Sequence, residues 1–341
     1  MVVKILFLTT LSAVFAVLWT PILTHFLYKY KLGKSIRNAG ATPIFSKLHQ
    51  HKENTPTMGG LIIWGTVLFL AIIFFYAAKF INNDFFQQLN FLSRSQTFLP
   101  LGCLVAAAIV GLFDDVLDVR SKGRGGLKMS HRIIIYTLIA LIGALWFYYK
   151  LDWDVLHIPF LGNFEIGLWY IPVFIFVIVS TAFSVNEIDG LDGLSGGTLL
   201  TAFASYGVIS FVQGKYDLAA FCGVVIGALI AFLWFNIKPA RFYMGDTGAM
   251  SLGITLGIIA MLTNQAFLLP IIGFLFVVES LSVIIQVLSK KLRKGKKVFL
   301  SAPIHHHFEA LGWPESKIVM RFWLVSGITS VIGLIIFLLD K

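Results

Sequence analysis

Five aspartates stand out in this sequence because each lies where an apolar run begins or ends. They are Asp114, Asp115, Asp189, Asp192 and Asp246. A charged carboxylate inside a bilayer costs about 3 kcal/mol even on mild scales, so we expect these side chains at a water boundary. Carboxylate oxygens suit Mg²⁺, and a bound Mg²⁺ can bridge the oxygens of a diphosphate. Together the aspartates predict a site for a magnesium-bound phosphate compound, although any one of them alone fits a solvated loop.

The stretch 186–197 is a polar, glycine-rich joint between two uncharged apolar runs, 168–185 and 198–212. Asp189 and Asp192 are three residues apart, so a helical backbone would place them on one face. The glycines around them allow tight turns and the close approach of a ligand. An isolated sequence of this kind is more often a solvated loop, and only the other polar clusters favour a binding site.

Asp114 and Asp115 end an apolar run, where two adjacent negative charges oppose the helix dipole and repel each other. They therefore require a positive group nearby. Mg²⁺ or a substrate phosphate held with it is one candidate, and the basic side chains of the following loop are another. Those side chains are Arg120, Lys122, Arg124, Lys128 and Arg132.

Asp246 lies between Gly245 and Thr247, where the next apolar run begins. An aspartate at this position can simply cap a helix. Gly245 and Gly248 would also let backbone N–H groups approach an anion. Tyr243 offers a flat face on which a base could stack. The segment therefore predicts either a helix cap or a contact with a nucleotide and its phosphates.

Glu279, Ser282 and Gln286 lie inside an otherwise apolar run, at spacings that place them on one helical face. An ionisable residue at membrane depth is a functional candidate by default, and pairing of Glu279 with Arg321 is the plainer explanation.

Three consecutive histidines, His305, His306 and His307, follow a basic segment near the end of the chain. Neighbouring side chains point in different directions, which makes them a poor zinc site. Since histidines donate hydrogen bonds near neutral pH, they suit phosphate binding better.

The composition places all of these residues in an integral membrane protein. The chain has 341 residues, 57% hydrophobic and only 13% charged, with a mean hydropathy of +0.85. No soluble globular domain hides that much apolar surface. The sequence predicts an all-α polytopic protein of one domain, 1–341, with ten transmembrane helices. The apolar runs are 4–27, 58–80, 97–113, 133–149, 168–185, 198–212, 218–236, 248–263, 267–289 and 319–339.

The basic residues indicate how these spans are oriented. With the N-terminus outside, most of the 27 Lys and Arg residues fall in five connections on the cytoplasmic side. These connections are 28–57, 114–132, 186–197, 237–247 and 290–318. We therefore predict both termini outside, the polar clusters inside, and no nucleic-acid partner for the net charge of +10. Lys4 before an apolar run resembles a signal peptide, but the basic loop that follows favours an uncleaved helix.

Two minor features complete the prediction. The outer segment 155–166 has the pattern of a small β-hairpin with its turn at Gly162 and Asn163. Cys103 and Cys222 both lie in apolar spans, so we expect two free thiols.

Several motifs in fixed order resemble the phospho-N-acetylmuramoyl-pentapeptide transferase family of peptidoglycan biosynthesis. They are HQHKENTPTMGG at 49–60, FDD at 113–115, NEIDGLDGL at 186–194, FNIKPARFYMGDTG at 235–248 and PIHHHFE at 303–309. The resemblance implies transfer of phospho-N-acetylmuramoyl-pentapeptide from UDP-MurNAc-pentapeptide to undecaprenyl phosphate, giving lipid I and UMP. It also implies Mg²⁺ as the cofactor, the bacterial cytoplasmic membrane as the location, contact with membrane lipids, and a homodimer.

The resemblance also implies roles for individual residues. Asp246 matches the metal-binding aspartate, and Asp114 and Asp115 match the pair that activates the lipid phosphate. The histidine loop is implied to be essential, at His305, His306 and His307. Positions near the nucleotide, its diphosphate or an inhibitor are Lys52, Asn186, Asp189, Asp192, Asn236, Tyr243 and Gln286.

The chain departs from the family pattern at a basic position beside the aspartate pair. The family usually has a lysine four residues after the first aspartate, whereas this chain has Asp118. We expect Arg120, Lys122 or Arg132 to supply the positive charge. Tyr243 in place of the usual phenylalanine is a mild change, since tyrosine also stacks.

Two chemical routes and two rival functions fit the sequence. The lipid phosphate could attack the donor directly, oriented or deprotonated by Asp115 or Asp114, or the reaction could pass through an aspartyl-phosphate. A sister transferase that uses a UDP-N-acetylhexosamine would keep the aspartates. A secondary transporter could also place charges between helices, but the chain shows neither an internal repeat nor paired broken helices.

Overall fold

The computed structural model describes residues 1–33, 55–81, 83–94, 96–121 and 126–340. Most of these residues form α-helices, and the strands β1 (Val155–Ile158) and β2 (Gly162–Glu165) form the only sheet in the described ranges. In chain order the helices are α1 (Val2–Lys29), α2 (Gly60–Phe80), α3 (Asp84–Leu89), α4 (Phe98–Arg120), α5 (Met129–Lys150), α6 (Tyr170–Ile188), α7 (Leu194–Val212), α8 (Tyr216–Asn236), α9 (Gly245–Leu262), α10 (Leu269–Ile272), α11 (Phe274–Leu292), α12 (Ile304–Ala310) and α13 (Glu315–Leu339).

The prediction of a mostly helical protein with about ten membrane-crossing helices is confirmed, with one span that is not continuous. Nine helices among the described residues are long and apolar enough to cross a bilayer, or ten if a bent pair counts as one span. The bent pair joins Ala266–Ile272 to Phe274–Leu292 at an angle of 81°. Gly273, at the break, has a non-helical backbone (φ −94°, ψ 34°), and glycine is a poor helix former. The predicted run 267–289 is therefore a broken helix.

Helix α9 is the centre of the bundle because every one of its residues is buried. It packs against α4 on one side and α6 on another. Small residues allow helices to approach closely in a membrane. Gly253 lies so near Ala182 of α6 that a side chain there would meet the α6 backbone. This packing fixes the first turn of α9 against the ends of α4 and α6, where three of the predicted site segments lie.

Two glycines of α4 allow a matched test of this packing. A Cβ atom at Gly111 would overlap the backbone of Asp246 and Thr247, whereas one at Gly102 would meet nothing within 4 Å. We expect Gly111→Ala to destabilise the protein by about 1–3 kcal/mol through overpacking. Gly102→Ala should be neutral or slightly stabilising, because alanine favours helix. Thermal unfolding in detergent, followed by circular dichroism, measures both; equal melting temperatures for the two variants would contradict this packing.

The predicted β-hairpin is confirmed, but its turn is not where the sequence indicated. β1 and β2 pair antiparallel with Ile158 opposite Gly162, so Gly162 and Asn163 lie in β2 and the turn precedes them. Asp340, beyond the end of α13, accepts a hydrogen bond from the Phe160 N–H at 2.6 Å and contacts His157 Nε2. These bonds lower the pKa of Asp340. A contact 180 residues away in the chain thus helps to fix the turn.

The two cysteines are free thiols, as predicted. Cys222 is buried in α8, and Cys103 is half-buried in α4.

Candidate functional site

The aspartate pair at the end of α4 lies against the first turn of α9. Asp115 Oδ1 accepts a hydrogen bond from the Asp246 N–H, and Oδ2 accepts one from the Thr247 N–H, both at 3.0 Å. The Thr57 hydroxyl donates to the same carboxylate at 3.1 Å. The first N–H groups of a helix have no partner within the helix and attract anions. The anion that binds the start of α9 is therefore the side chain of Asp115.

Gly245 is needed for this contact for two reasons. Its φ of +73° is a conformation that residues with a side chain rarely adopt. A Cβ atom at this position would also overlap the carboxylate of Asp115. The glycine predicted to let α9 approach an anion thus lets it approach Asp115.

Arg132, in the first turn of α5, supplies the positive charge that the aspartates require. Its Nε lies 2.8 Å from Asp114 Oδ2, and its Nη2 lies 2.8 Å from Asp246 Oδ2. Asn186, near the end of α6, accepts a bond from Arg132 Nη1 and donates one to Asp246 Oδ1. Three basic residues could replace the charge of the lysine that the family usually has at the position of Asp118. Arg132 is the one with these contacts, whereas Lys122 lies outside the described residues.

We call Asp114, Asp115, Arg132, Asn186 and Asp246 the carboxylate cluster. Its members come from the ends of four helices, α4, α5, α6 and α9. The expectation that acidic residues far apart in sequence converge is confirmed for Asp114, Asp115 and Asp246. Arg132 was only one of several candidate cations, and its position at the start of an apolar run is the sequence signal that it borders the membrane.

The turn that contains Asp189 and Asp192 lies beside the carboxylate cluster and is held by the loop after α8. Asp189 Oδ1 accepts a bond from the Ser195 hydroxyl at 2.6 Å, and Asp192 Oδ2 accepts the Ala240 N–H at 3.1 Å. Asn236 accepts the Gly193 N–H and donates to a carbonyl of its own loop. Asp192 and Asn236 therefore hold the backbone of this turn and of the loop after α8. Their proposed contacts with substrate stay predictions.

Of the three histidines, His305 and His306 have rings in contact with each other, whereas His307 has a separate partner. His305 Nδ1 lies 3.0 Å from Glu279 Oε2, and His306 Nδ1 lies 2.6 Å from Glu309 Oε2. The two rings lie edge to face, with centroids 4.0 Å apart and an interplanar angle of 62°. His307 instead accepts the N–H of Leu300. The structure thus separates His307 from the other two.

The partner of Glu279 is His305, so the alternative pairing with Arg321 is wrong. Arg321 lies over the ring of Trp313, 4.5 Å from its centroid. Burial lowers the pKa of His305, but the carboxylates of Glu279, Glu309 and Glu187, of which Glu279 acts most strongly, together raise the net pKa. The pair links the short helix α12 to the buried face of α11.

The remaining predicted site residues have mainly supporting contacts. Gln286 accepts the N–H groups of Val298 and Phe299 and donates to the Phe299 carbonyl, so it holds the segment after α11. Burial raises the pKa of the Tyr243 phenol, which keeps it neutral. Lys52 lies outside the described residues.

The carboxylate cluster has the chemistry of a magnesium site. Mg²⁺ prefers oxygen ligands, and proteins commonly hold it with one or two carboxylates plus phosphate and water. Asp114 and Asp246 present carboxylates to a single positive group, the guanidinium of Arg132. Among the described residues no group of three or more His, Cys, Asp and Glu could hold a metal alone. The two carboxylates of the cluster could hold an ion whose other ligands come from phosphate and water.

Sequence comparisons connect this arrangement with known proteins. Residues 97–264 match the model of glycosyl transferase family 4, and residues 52–63 match phospho-N-acetylmuramoyl-pentapeptide-transferase signature 1. Curated relatives named phospho-N-acetylmuramoyl-pentapeptide-transferase include one from Chloroflexus aggregans, 40% identical over 91% of this chain and 83% of the relative. Another, from Anoxybacillus flavithermus, is 40% identical over 97% of both chains. A third, from Listeria welshimeri, is 36% identical over 94% of both chains.

Proposed function

The chain belongs to the phospho-N-acetylmuramoyl-pentapeptide-transferase family, and we propose that it transfers phospho-MurNAc-pentapeptide from UDP-MurNAc-pentapeptide to undecaprenyl phosphate. The products would be lipid I and UMP. The observation that carries the proposal is the carboxylate cluster, in which Asp114, Asp115 and Asp246 converge on one face of the bundle. Such a cluster can bind the diphosphate of a soluble donor at the surface where a lipid acceptor is available.

The protein is a bacterial membrane protein, and we place it in the cytoplasmic membrane with this cluster facing the cytoplasm. The basic connections support that orientation through the positive-inside rule. We also propose a homodimer on the family resemblance, and chemical cross-linking in native membranes would test it.

We propose that Mg²⁺ binds at Asp246, with Asp114, which shares the Arg132 guanidinium with it, as the second carboxylate. When bound, the ion would neutralise the diphosphate and stabilise the charge on departing UMP. Mg²⁺ cannot approach both carboxylates while Arg132 contacts them as it does here. Arg132 would therefore exchange one of its aspartates for a phosphate oxygen when substrate binds.

The two aspartates of α4 have different surroundings, which supports different roles. Asp115 accepts two N–H groups and one hydroxyl, all from the start of α9 and the segment before α2. We therefore assign Asp115 to holding α9 in place. Asp114 pairs with Arg132, and we assign it to orienting the lipid phosphate. An oxygen of that phosphate attacks the β-phosphorus of the donor, and the bond from this phosphorus to the bridging oxygen breaks to release UMP.

The reaction is tested by measuring UMP release from UDP-MurNAc-pentapeptide with and without undecaprenyl phosphate. We expect release only when the lipid phosphate is present, because a direct displacement needs the acceptor. Release of UMP or labelling of the protein without lipid would instead establish an aspartyl-phosphate route. A parallel assay with UDP-N-acetylhexosamines distinguishes a sister transferase, and turnover of those donors alone would reject the proposal.

A further inference from the structure

Glu279 is a buried charged residue to which the proposed reaction gives no role. It lies in α11, and both its side chain and that of His305 are 0% exposed. An ionisable group in such surroundings is destabilising unless it is paired. The carboxylate is paired through Oε2 with His305 Nδ1 at 3.0 Å, and its Oε1 has no hydrogen-bond partner in the described residues. This pair joins a membrane-depth helix to the histidine segment.

A carboxylate on one ring nitrogen determines where the other nitrogen points. With Nδ1 on Glu279, the Nε2 of His305 faces Gly190, in the turn between Asp189 and Asp192. A Cβ atom at Gly190 would collide with this Nε2 and would also crowd the Nε2 of His306. His305 Nε2 is buried and has no hydrogen-bond partner in the described residues. The glycine thus leaves space for both rings against the turn.

His306 is arranged in the same way as His305. Its Nδ1 contacts Glu309, and its ring packs edge to face against that of His305. A displacement of His305 would therefore move both the neighbouring ring and the Gly190 backbone. Among the described residues, Glu279 is the one whose charged side chain bonds directly to His305.

We propose that Glu279 is a positioning residue for the transfer reaction, which acts by holding His305 against the Gly190 turn and the His306 ring. The inference rests on the proposed function and adds a residue to it. Glu279 itself lies behind this layer and need not touch substrate. The charged groups that act on His305 are Glu279 of α11, Glu309 of α12 and Glu187 of α6.

The main test is Glu279→Gln, which keeps the size of the side chain and removes its charge. We expect kcat to fall by about 10–100-fold, as for other residues that orient an active-site histidine, while KM for the UDP donor changes little. Glu279 raises the pKa of His305, so the imidazolium persists to higher pH in the parent protein. In the variant, the limb of the pH–rate profile that reports this group should move to lower pH.

A double-substitution cycle separates positioning from general support. If Glu279 acts through His305, Glu279→Gln in a His305→Asn background should reduce kcat no further. Glu279→Asp should recover part of the activity, since it restores the charge. Ser282→Ala is the matched control, because Ser282 is buried one turn along the same helix and its hydroxyl donates to the backbone carbonyl of Glu279, not to the carboxylate. We expect the control to retain parent activity.

Two results would overturn the inference. One is a Glu279→Gln variant with parent kcat and an unchanged pH profile. The other is an equal fold-loss of kcat when Glu279→Gln is made in the parent protein and in the His305→Asn background. If Glu279→Gln fails to fold, Glu279→Asp serves in the same cycle. Should the parent protein release no UMP, the proposed function fails on its own. Titration of ¹⁵N-labelled histidines then still decides the inference, since an unchanged histidine pKa in Glu279→Gln rejects it.

Discussion

Replacement of Asp246 by asparagine should abolish Mg²⁺-dependent turnover while the protein remains folded. Asp246 Oδ2 contacts Arg132 and Oδ1 accepts from Asn186, so the carboxylate is fully engaged at the point where three helices meet. Asparagine keeps the size but removes the charge that would bind a divalent cation. We expect kcat/KM to fall by about 10³-fold or more, a loss of roughly 4 kcal/mol in transition-state stabilisation.

Asp217→Asn is the matched control for this experiment. Asp217 lies in the first turn of α8 and pairs with Lys4, far in the fold from the carboxylate cluster. The control should retain activity, and both variants should remain folded in detergent, since Arg132 keeps Asp114 as a charged partner in Asp246→Asn. Asp246→Asn with activity within threefold of the parent would contradict a metal-binding role for Asp246.

Replacement of Arg132 by methionine should destabilise the protein most strongly when divalent cations are absent. The guanidinium is the positive partner of Asp114 and Asp246, and all three residues are buried. Removal of one partner from a buried ion pair costs about 3–5 kcal/mol, because the remaining charges are left unpaired. We expect a large fall in melting temperature in EDTA and nearly complete loss of UMP release.

Added Mg²⁺ should partly restore the stability of Arg132→Met, since an ion that binds the folded state stabilises it by mass action. The stabilisation by Mg²⁺ should be larger in this variant than in the parent protein, in which Arg132 competes for the same carboxylates. Arg241→Met is the control, because Arg241 is exposed and lies over the ring of Phe235. Equal stabilisation of parent and variant by Mg²⁺ would show that the ion binds elsewhere.

The convergence of Asp114, Asp115 and Asp246 could be predicted from the sequence because hydrocarbon excludes charge. Each aspartate ends or begins an apolar run, so the membrane itself confines all three to a surface. The identity of their cation could not be predicted, since five basic residues follow the pair in sequence. Which of them reaches Asp246 depends on how α5 packs beside α6 and α9.

Other features depended on contacts between distant parts of the chain. The hairpin was predicted from local alternation, but its turn is fixed by Asp340, near the other end of the sequence. The sequence marks Glu279 as an ionisable residue in an apolar run, but it indicates Arg321 as the partner, whereas the fold brings His305 to it. The sequence does not predict the break at Gly273, because the run 267–289 is as hydrophobic as a continuous span. A single glycine is only a weak signal of a helix break.

The contact between Asp115 and the start of α9 has a consequence for inhibitors of this protein. A helix N-terminus usually attracts anionic compounds, but here an internal carboxylate already satisfies the Asp246 and Thr247 amides. A sulfate or carboxylate placed on a drug-like molecule would therefore gain little from the field of this helix. Compounds that reach the cluster should do better with a cationic group that replaces the guanidinium of Arg132, or with neutral groups that leave the aspartates undisturbed.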